Sequence, residues 1–228
     1  IALCAAAVAF LTLWPSFGGT LSGERLARAQ ASPQYRGGHF ENVIPKTPRT
    51  TAQSFEYFKL QMLGTEVRTP PAPCPPVIPL KRDDLSKPVA PGLRAIWFGH
   101  ASVYLEVDGA RIMLDPMLSE YASPLARVGP KRFHPPPLPL EQLPKMDAVL
   151  ISHDHYDHLD METTRHLAKV GSHFLVPLGI GAHLERWGVP ASQVTELDWW
   201  QSADIRGVKF TSAPVRHYSG RGLRDGNA

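Results

Sequence analysis

A dense group of metal-binding side chains near the middle of the chain constrains the fold more than any other feature. Residues 151–160 read Ile-Ser-His-Asp-His-Tyr-Asp-His-Leu-Asp, and their candidate ligands are His153, His155, Asp157 and His158. The apolar run 148–151 comes directly before these ligands and predicts a short buried strand. Three imidazoles and a carboxylate therefore leave the end of one strand together.

The spacing of these ligands predicts two adjacent metal positions. In extended backbone, residues two apart point the same way, so His153 and His155 can hold one ion from one side. Asp157 and His158 fall where the chain turns toward the next helix and point elsewhere. This mixture of imidazole and carboxylate ligands suits zinc. A chance group of surface histidines is the alternative, and the ordered H-x-H-x-D-H spacing disfavours it.

The composition indicates a globular protein, and the charge argues against a nucleic-acid partner. The 228 residues are 43% hydrophobic and 20% charged, which suits one large domain, or a domain with an appendage. The net charge is only +3, and no dense cluster of lysine and arginine occurs. The two cysteines, Cys4 and Cys74, form neither a metal-binding spacing nor a disulfide framework.

The first segment, residues 1–17, is predicted to be a membrane anchor or the remnant of a secretory signal. Its first 14 residues are apolar apart from one threonine, and Pro15 follows. A bilayer-spanning helix needs about 20 residues, and a start at isoleucine leads us to expect further residues upstream. An uncleaved anchor is favoured, because the small residues 29–31 lie far from the apolar run. A buried N-terminal helix is the alternative.

We expect an N-terminal arm over residues 18–92 and a globular domain over residues 93–228. Within the arm, residues 32–50 lack a sustained period and predict irregular backbone. Residues 54–63 predict a short amphipathic helix. The Pro-rich stretch 69–91 cannot form a regular helix or an interior strand, so it predicts an extended connector lying on the domain.

Strand patterns alternate with helix patterns in the domain, which predicts an α/β fold built in layers. The long Pro-rich connection 116–145 is expected to be functional or disordered, and Asp160 is expected to cap the helix after the motif. The predicted elements are strands at 94–98, 103–107, 111–114 and 148–151, a helix at 160–169, a strand at 173–176, a helix at 179–187, and strands at 194–197 and 208–213.

The motif resembles that of the metallo-β-lactamase-fold hydrolases, whose hallmark is an H-x-H-x-D-H loop. Further stretches resemble the branch that contains N-acyl-phosphatidylethanolamine-hydrolysing phospholipase D and its bacterial relatives. They are Trp-Phe-Gly-His-Ala-Ser at 97–102, Leu-Asp-Pro at 114–116, Gly-Pro-Lys-Arg-Phe at 129–133, the motif at 153–160 and His-Tyr-Ser-Gly-Arg at 217–221. The resemblance implies an αββα sandwich, of which this chain holds the first half and the start of the second.

The resemblance also implies roles for individual residues. His217, which follows the last predicted strand, would complete a first zinc site with His153 and His155. Asp157 and His158 would begin a second zinc site, and Asp157 would act in catalysis by orienting water or accepting its proton. Two zinc ions are implied for the intact protein.

Four other residues are expected to surround these ligands. His100 and Asp115 lie at predicted strand ends and are candidates for orienting the metal histidines, with turn formation as the alternative. Tyr218 and Arg221 share the stretch of His217 and are candidates for contact with the ligands or the substrate. Arg221 could pair with a phosphate, and an exposed loop arginine is the alternative.

The family completes its second metal site with a bridging aspartate, in a Gly-Asp-Thr-Gly-like stretch, and a final histidine downstream of the third imidazole. This chain ends at Ala228 before either. We therefore expect a fragment cut at both ends, with one full metal site and weak or absent binding at the second.

The function predicted from the resemblance is hydrolysis of a phosphodiester in N-acyl phospholipids by metal-activated water. Zinc lowers the pKa of bound water from about 15.7 to about 7 and stabilises charge on a phosphoryl oxygen. We expect a phospholipid or other phosphate-ester substrate and a membrane-associated or, in a bacterium, exported protein. The alternatives are the same fold acting on a sugar-phosphate lactone, and a non-catalytic metal-binding regulatory protein.

Overall fold

A six-stranded mixed sheet forms the centre of the protein. The computed structural model describes residues 14–45, 50–53, 55–56, 73–87, 90–125, 127 and 129–221. The described strands are β1 (Tyr35–Arg36), β2 (His39–Phe40), β3 (Leu93–Gly99), β4 (Ser102–Val107), β5 (Ala110–Leu114), β6 (Ala148–Leu150), β7 (Phe174–Pro177), β8 (Val194–Leu197), β9 (Ser202–Ile205) and β10 (Val208–Thr211). The described α-helices are α1 (Gly23–Ala31), α2 (Arg82–Ser86), α3 (Met161–Lys169) and α4 (Ile180–Arg186).

The strand order of the central sheet brings several strand ends to one edge. The order is β3-β4-β5-β6-β7-β8, with β3, β4 and β5 antiparallel in turn and β5 to β8 parallel. β3 therefore runs in the same direction as β5, β6 and β7. The residues that follow these four strands meet at the same edge, and they include His100, Asp115 and the motif loop.

Side-chain alternation along the strands divides the core between the two faces of the sheet. Met113 and Val149 face the larger cluster, into which helices α3 and α4 place Leu167 and Leu184. Ile112 and its neighbours face the opposite side, where the β9–β10 hairpin covers them with Ile205, Val208 and Phe210. The predicted α/β class with a helix-covered sheet and the beginning of a second layer is confirmed.

The local turn chemistry of the first hairpins also agrees with the prediction. Asp108 and Gly109 have positive φ angles of 44° and 93° and form the tight turn between β4 and β5. Strands β3, β4 and β5 lie within one residue of their predicted bounds at each end. Asp160 precedes helix α3 as expected, but its side chain forms no cap. Its carboxylate instead accepts hydrogen bonds from Ser119 and the Thr163 hydroxyl.

The arm contains more regular structure than its sequence predicts, and it packs against the domain. Helix α1 and the β1–β2 hairpin were not predicted, and strand β9 was also missed. Leu85 in α2 is fully buried in the main core, and the N–H of Leu80 donates to the carbonyl of Pro137 at 2.8 Å. The arm is therefore a layer on the domain along the parts that the structure describes.

Two predictions of the sequence fall on residues that lie outside the described ranges. The helix predicted over 54–63 belongs almost entirely to them, and so does most of the predicted anchor at 1–17. In the part of the chain that the structure describes, no helix is long and apolar enough to cross a bilayer.

Candidate metal centre

Three imidazoles from two distant parts of the chain meet at the carboxyl edge of the sheet. The motif loop after β6 carries His153 and His155, and the segment after β10 carries His217. One ligand nitrogen of each lies within 4.8 Å of the others. The ring centroids are 4.6 Å apart for the first two histidines and 4.2 and 4.7 Å from these to His217. The structure thus brings together the three residues predicted for the first site.

The hydrogen bonds of His153 fix which of its nitrogens faces the cluster. The Ser152 hydroxyl lies 2.8 Å from His153 Nδ1 and donates its own hydrogen to Asp115 at 2.6 Å. Nδ1 of His153 must therefore carry the proton, which leaves a lone pair on Nε2. Nε2 is buried and has no hydrogen-bond partner among the described residues. A buried lone pair without a donor is what a metal ion would satisfy.

The distances and charges within this cluster also suit a divalent metal. Nε2 of His217 lies 3.2 Å from Nδ1 of His155, and two nitrogens on a tetrahedral zinc are about 3.3 Å apart. Burial, followed by the neighbouring imidazoles, lowers the pKa of His153 to about 4. Burial and the charge of His217 also lower the pKa of His155. These rings are therefore neutral near pH 7, the state in which imidazole binds metals.

A second cluster lies directly beside the first. It contains His100, Asp157 and His158, whose ligand atoms lie within 4.8 Å of one another. His100 Nε2 is 2.9 Å from Asp157 Oδ2, and His158 Nε2 is 3.7 Å from the same oxygen. The rings of His158 and His153 are 4.1 Å apart, so the two clusters abut. The sequence predicted two protein ligands here, and the structure adds His100 as a third candidate.

The electrostatics of this second cluster keep its carboxylate ionised. Burial raises the pKa of Asp157, but the charges of His158 and His100 and a backbone hydrogen bond lower it overall. Burial lowers the pKa of His158, but the hydrogen bond and charge of Asp115 raise it overall. Asp115 Oδ2 lies 2.8 Å from His158 Nδ1, which leaves Nε2 of His158 directed toward Asp157.

Asp115 occupies the orienting position expected of it and reaches both clusters. It accepts hydrogen bonds from the backbone N–H and the hydroxyl of Ser152, at 2.7 and 2.6 Å, and contacts His158 directly. One carboxylate therefore sets the ring orientation of His158, and through the serine that of His153. Its φ of 38° is unusual for a non-glycine residue and places it at the turn after β5.

Arg221 differs from both roles that the sequence offered for it. It is only 2% exposed, so it is neither an exposed loop residue nor directed at a substrate. Its guanidinium donates to the backbone carbonyls of Ser16, Asp154 and Leu159. It also lies 4.2 Å from the ring centre of Tyr156. Arg221 fastens the segment after His217 to the motif loop and to the N-terminal segment.

Tyr218 packs against the imidazoles rather than standing apart from them. Its ring centre lies 4.7 Å from that of His155 and 5.0 Å from that of His217. It therefore forms part of the wall around the first cluster, consistent with its predicted place next to the ligands.

The motif itself contains an aspartate that the sequence reasoning did not single out. Asp154 alternates with the metal histidines and so faces the other way, where it is 7% exposed. It accepts hydrogen bonds from the Ser219 hydroxyl and from the N–H of Gly220. Burial raises its pKa, but hydrogen bonds from His183 and Ser219 more than offset this and lower it to about 2. Its position between two predicted ligands was a signal that could have identified it.

Two cavities flank the clusters. One of 340 Å³ opens beside the second cluster and is walled by Met117, Phe133 and Tyr156, with Lys131 among its residues. The other, of 420 Å³, lies on the side of His153 and reaches the arm. The long connection after β5 thus forms a wall of the site.

A mixed sheet whose carboxyl edge carries two adjoining groups of imidazole and carboxylate donors is typical of metal-binding α/β proteins. The family described as "Beta-lactamase superfamily domain" matches residues 110–228, and the chain belongs to this superfamily. The resemblance drawn from the H-x-H-x-D-H motif is thereby confirmed.

Individual relatives match over parts of their length. An uncharacterized protein of Mycobacterium tuberculosis is 44% identical over 203 residues, which are 86% of this chain and 53% of that protein. N-acyl-phosphatidylethanolamine-hydrolyzing phospholipase D 1 of Caenorhabditis elegans is 37% identical over 145 residues, or 60% of this chain and 41% of the relative. The chain spans about half the length of the curated relatives it matches.

Among solved structures, the diiron beta-hydroxylase CmlA of Streptomyces venezuelae is similar with a TM-score of 0.41 and 23% identity. The match covers 56% of this chain and 25% of that protein. A likeness of this extent says nothing about the chemistry of the present site.

Proposed function

We propose that this protein is a zinc-dependent hydrolase that cleaves a phosphodiester of N-acyl phospholipids. The observation that carries the proposal is the convergence of His153, His155 and His217, in which the buried Nε2 of His153 has no hydrogen-bond partner among the described residues. The similarity to a phospholipase D that hydrolyses N-acyl-phosphatidylethanolamine supports this substrate class. A site of three imidazole ligands suits zinc.

The residues of the two clusters would share the work of the site. His153, His155 and His217 would hold one metal, and Asp157 and His158 would hold part of a second. A bound zinc supplies Lewis acidity, which acidifies water and stabilises charge on a phosphoryl oxygen.

Asp157 contributes an ionised carboxylate that can orient water by accepting its hydrogen. The lowered pKa of Asp157 keeps that carboxylate unprotonated at neutral pH. His100 lies 2.9 Å from Asp157 Oδ2 and holds this oxygen in place. The arrangement favours orientation of water over strong basicity, because a carboxylate of low pKa is a weak base.

The surroundings of the clusters suit an amphiphilic substrate. The 340 Å³ cavity beside Asp157 has apolar walls in Met117 and Phe133 and a cation in Lys131. Such a site accommodates an apolar chain next to a phosphate. The apolar first 14 residues support an action at a membrane surface, with the protein membrane-associated or exported.

The test is product analysis with the purified full-length protein and zinc. N-acyl-phosphatidylethanolamine in mixed micelles should yield phosphatidic acid, measured by mass spectrometry. His153→Ala should abolish this product. His173→Ala is the matched control, because His173 lies at the opposite edge of the sheet. Its Nε2 forms a hydrogen bond with the Thr195 hydroxyl.

Other outcomes would overturn the proposal in different ways. Opening of a sugar-phosphate lactone without cleavage of the phospholipid would keep a hydrolase but replace the substrate class. Binding of zinc with no hydrolysis of either compound would indicate a non-catalytic metal-binding protein.

A further inference from the structure

The third imidazole lies on a segment without regular secondary structure. Strand β10 ends at Thr211, and residues 212–221 form no helix or strand. His217 nevertheless places its Nε2 3.2 Å from His155. Ordering such a backbone costs conformational entropy, so the position of the ring depends on what holds the chain around it.

The backbone of His217 is held by the side chain of Asn42. Asn42 Nδ2 donates to the carbonyl of His217 at 2.7 Å, and the N–H of His217 donates to Asn42 Oδ1 at 2.9 Å. Two opposed hydrogen bonds to one residue are the pattern by which antiparallel strands pair. The side-chain amide of Asn42 therefore satisfies both backbone groups of His217, as a neighbouring strand would.

The part of the arm that carries Asn42 is itself ordered. The N–H of Glu41 donates to the carbonyl of Gln34 at 2.9 Å, next to the β1–β2 hairpin. Within that hairpin the rings of Tyr35 and Phe40 pack with centroids 5.0 Å apart. A rigid hairpin immediately before Asn42 gives its amide a defined position.

Helix α1 fastens this hairpin to the central sheet. Arg25 forms an ion pair of 2.7 Å with Glu196, whose carboxylate is buried and also accepts from the backbone of Gly179 and Gly181. Arg28 donates to the carbonyl of Glu196 at 2.9 Å. The arm is thus anchored on β8 at a point separate from His217.

The far end of the same segment is held in a similar manner. Arg221 donates to the carbonyl of Ser16 at 2.6 Å, and the Ser16 hydroxyl donates to the carbonyl of Pro124 at 2.6 Å. Contacts from the first 45 residues therefore bracket the segment from His217 to Arg221.

From these contacts we infer that Asn42 is a positioning residue for His217 and that the N-terminal arm is part of the metal centre. Asn42 acts on the backbone of the ligand and not on the metal. The inference rests on the proposed function, because it assumes that His217 binds the metal. It predicts that a change outside the domain weakens metal binding.

The experiment compares zinc affinity in the full-length protein, measured by competition with a chromophoric chelator. Asn42→Ala should weaken zinc binding on the order of 10-fold, as is typical when a partner that orients a ligand is removed. Arg94→Gln is the control, since Arg94 donates to the carbonyl of Asp84 in the arm at 2.7 Å, and this contact between arm and domain lies at the end of β3 away from His217. It should leave zinc affinity at the wild-type value.

A second variant and a second measurement distinguish a specific effect of Asn42 from misfolding of the Asn42→Ala protein. Asn42→Asp has nearly the same shape and keeps the acceptor for the His217 N–H, but it loses the donor to the His217 carbonyl. It should also weaken zinc binding. Cobalt substitution should show reduced visible absorption in both Asn42 variants, because the geometry around the ion changes when one imidazole moves.

The possible results separate this inference from the proposed function. Wild-type affinity in both Asn42 variants would overturn the inference while leaving the metal site intact. An equal loss in Arg94→Gln would also overturn it, because the effect would then come from general loosening of the contact between arm and domain. Failure of the wild-type protein to bind zinc would remove the proposed function and, with it, the inference.

Discussion

At the scale of single residues, Asp115 joins the two clusters more closely than any other side chain described above. It contacts His158 directly and reaches His153 through the Ser152 hydroxyl. Both imidazoles need their second nitrogen protonated and held, so that the first presents its lone pair to the cluster. One carboxylate therefore affects two neighbouring ligand positions.

Replacing Asp115 by asparagine should weaken metal binding by about 10- to 100-fold. The amide keeps the size of the side chain but removes the negative charge and one acceptor, so the ring protons of His153 and His158 lose their fixed positions. Isothermal titration with zinc measures the effect. Asp108→Asn is the control, because Asp108 accepts from Gly92 in an exposed turn. Equal affinities in Asp115→Asn and wild type would contradict the role given to Asp115.

Asp154 makes the free energy of unfolding depend on pH in the acidic range. Its pKa is lowered from 3.8 to about 2 in the folded protein. A group whose pKa is lowered by folding stabilises the protein above its unfolded pKa. That contribution disappears as the pH falls through the folded pKa.

The free-energy difference between wild type and Asp154→Asn should therefore be about 2 kcal/mol near pH 6 and shrink between about pH 4 and pH 2. Urea unfolding of both proteins across this range measures it. Other carboxylates titrate in both proteins and largely cancel in the difference. A difference that stays constant down to pH 2 would contradict the lowered pKa of Asp154.

At the scale of elements, the segment after β10 packs very closely against the motif loop. A Cβ at Gly220 would lie 2.5 Å from the ring of His155. The backbone of the segment can approach this imidazole only because glycine has no side chain. The two elements that supply the ligands are thus in direct contact.

Gly220→Ala should displace the His155 ring and weaken zinc binding by about 10-fold, on the scale of other changes around metal ligands. Gly207→Ala is the matched control. No atom lies within 4 Å of its added Cβ, and its φ is +80°. The control should lower thermal stability through backbone strain without changing zinc affinity. If the Gly220 variant retained wild-type affinity in the same chelator competition, the close contact between Gly220 and His155 would not matter for zinc binding.

At the scale of the whole molecule, the metal centre joins the arm, the sheet and the segment after the β9–β10 hairpin. A ligand that binds only the folded state stabilises it by mass action. Zinc at about 100 times its dissociation constant contributes about 2.7 kcal/mol. For a protein of this size, that corresponds to a rise of about 5–10 °C in the unfolding temperature.

Zinc should therefore raise the unfolding temperature of wild type by this amount, and a chelator should reverse the effect. The double variant His153→Ala and His217→Ala should show a much smaller shift, because only one imidazole of the three in the first cluster remains. Differential scanning calorimetry provides the measurement, with His173→Ala as the control that keeps the shift. An undiminished shift in the double variant would place the zinc elsewhere.

Much of the sheet and the core of the site could be predicted from sequence because their signals are local. Strand β4 shows period-two alternation, an Asp-Gly turn joins it to β5, and the motif directly follows an apolar run. Helix α1 was not predicted although its sequence is amphipathic; residues 29–31 at its end were compared instead with a signal-cleavage site. Strand β9 was missed because its pairing partner β10 supplies the reason for its extended form.

The sequence by itself determined the ligand types, their spacing and the α/β class, since each depends on neighbours within a few positions. Only the tertiary structure decided that Asn42 holds a residue 175 positions away and that Arg221 is buried against Ser16, 205 positions away. Hydrogen bonds between such distant residues leave no periodic trace in the chain. They arise because the arm packs on the domain and brings Asn42 and Ser16 next to the segment after β10.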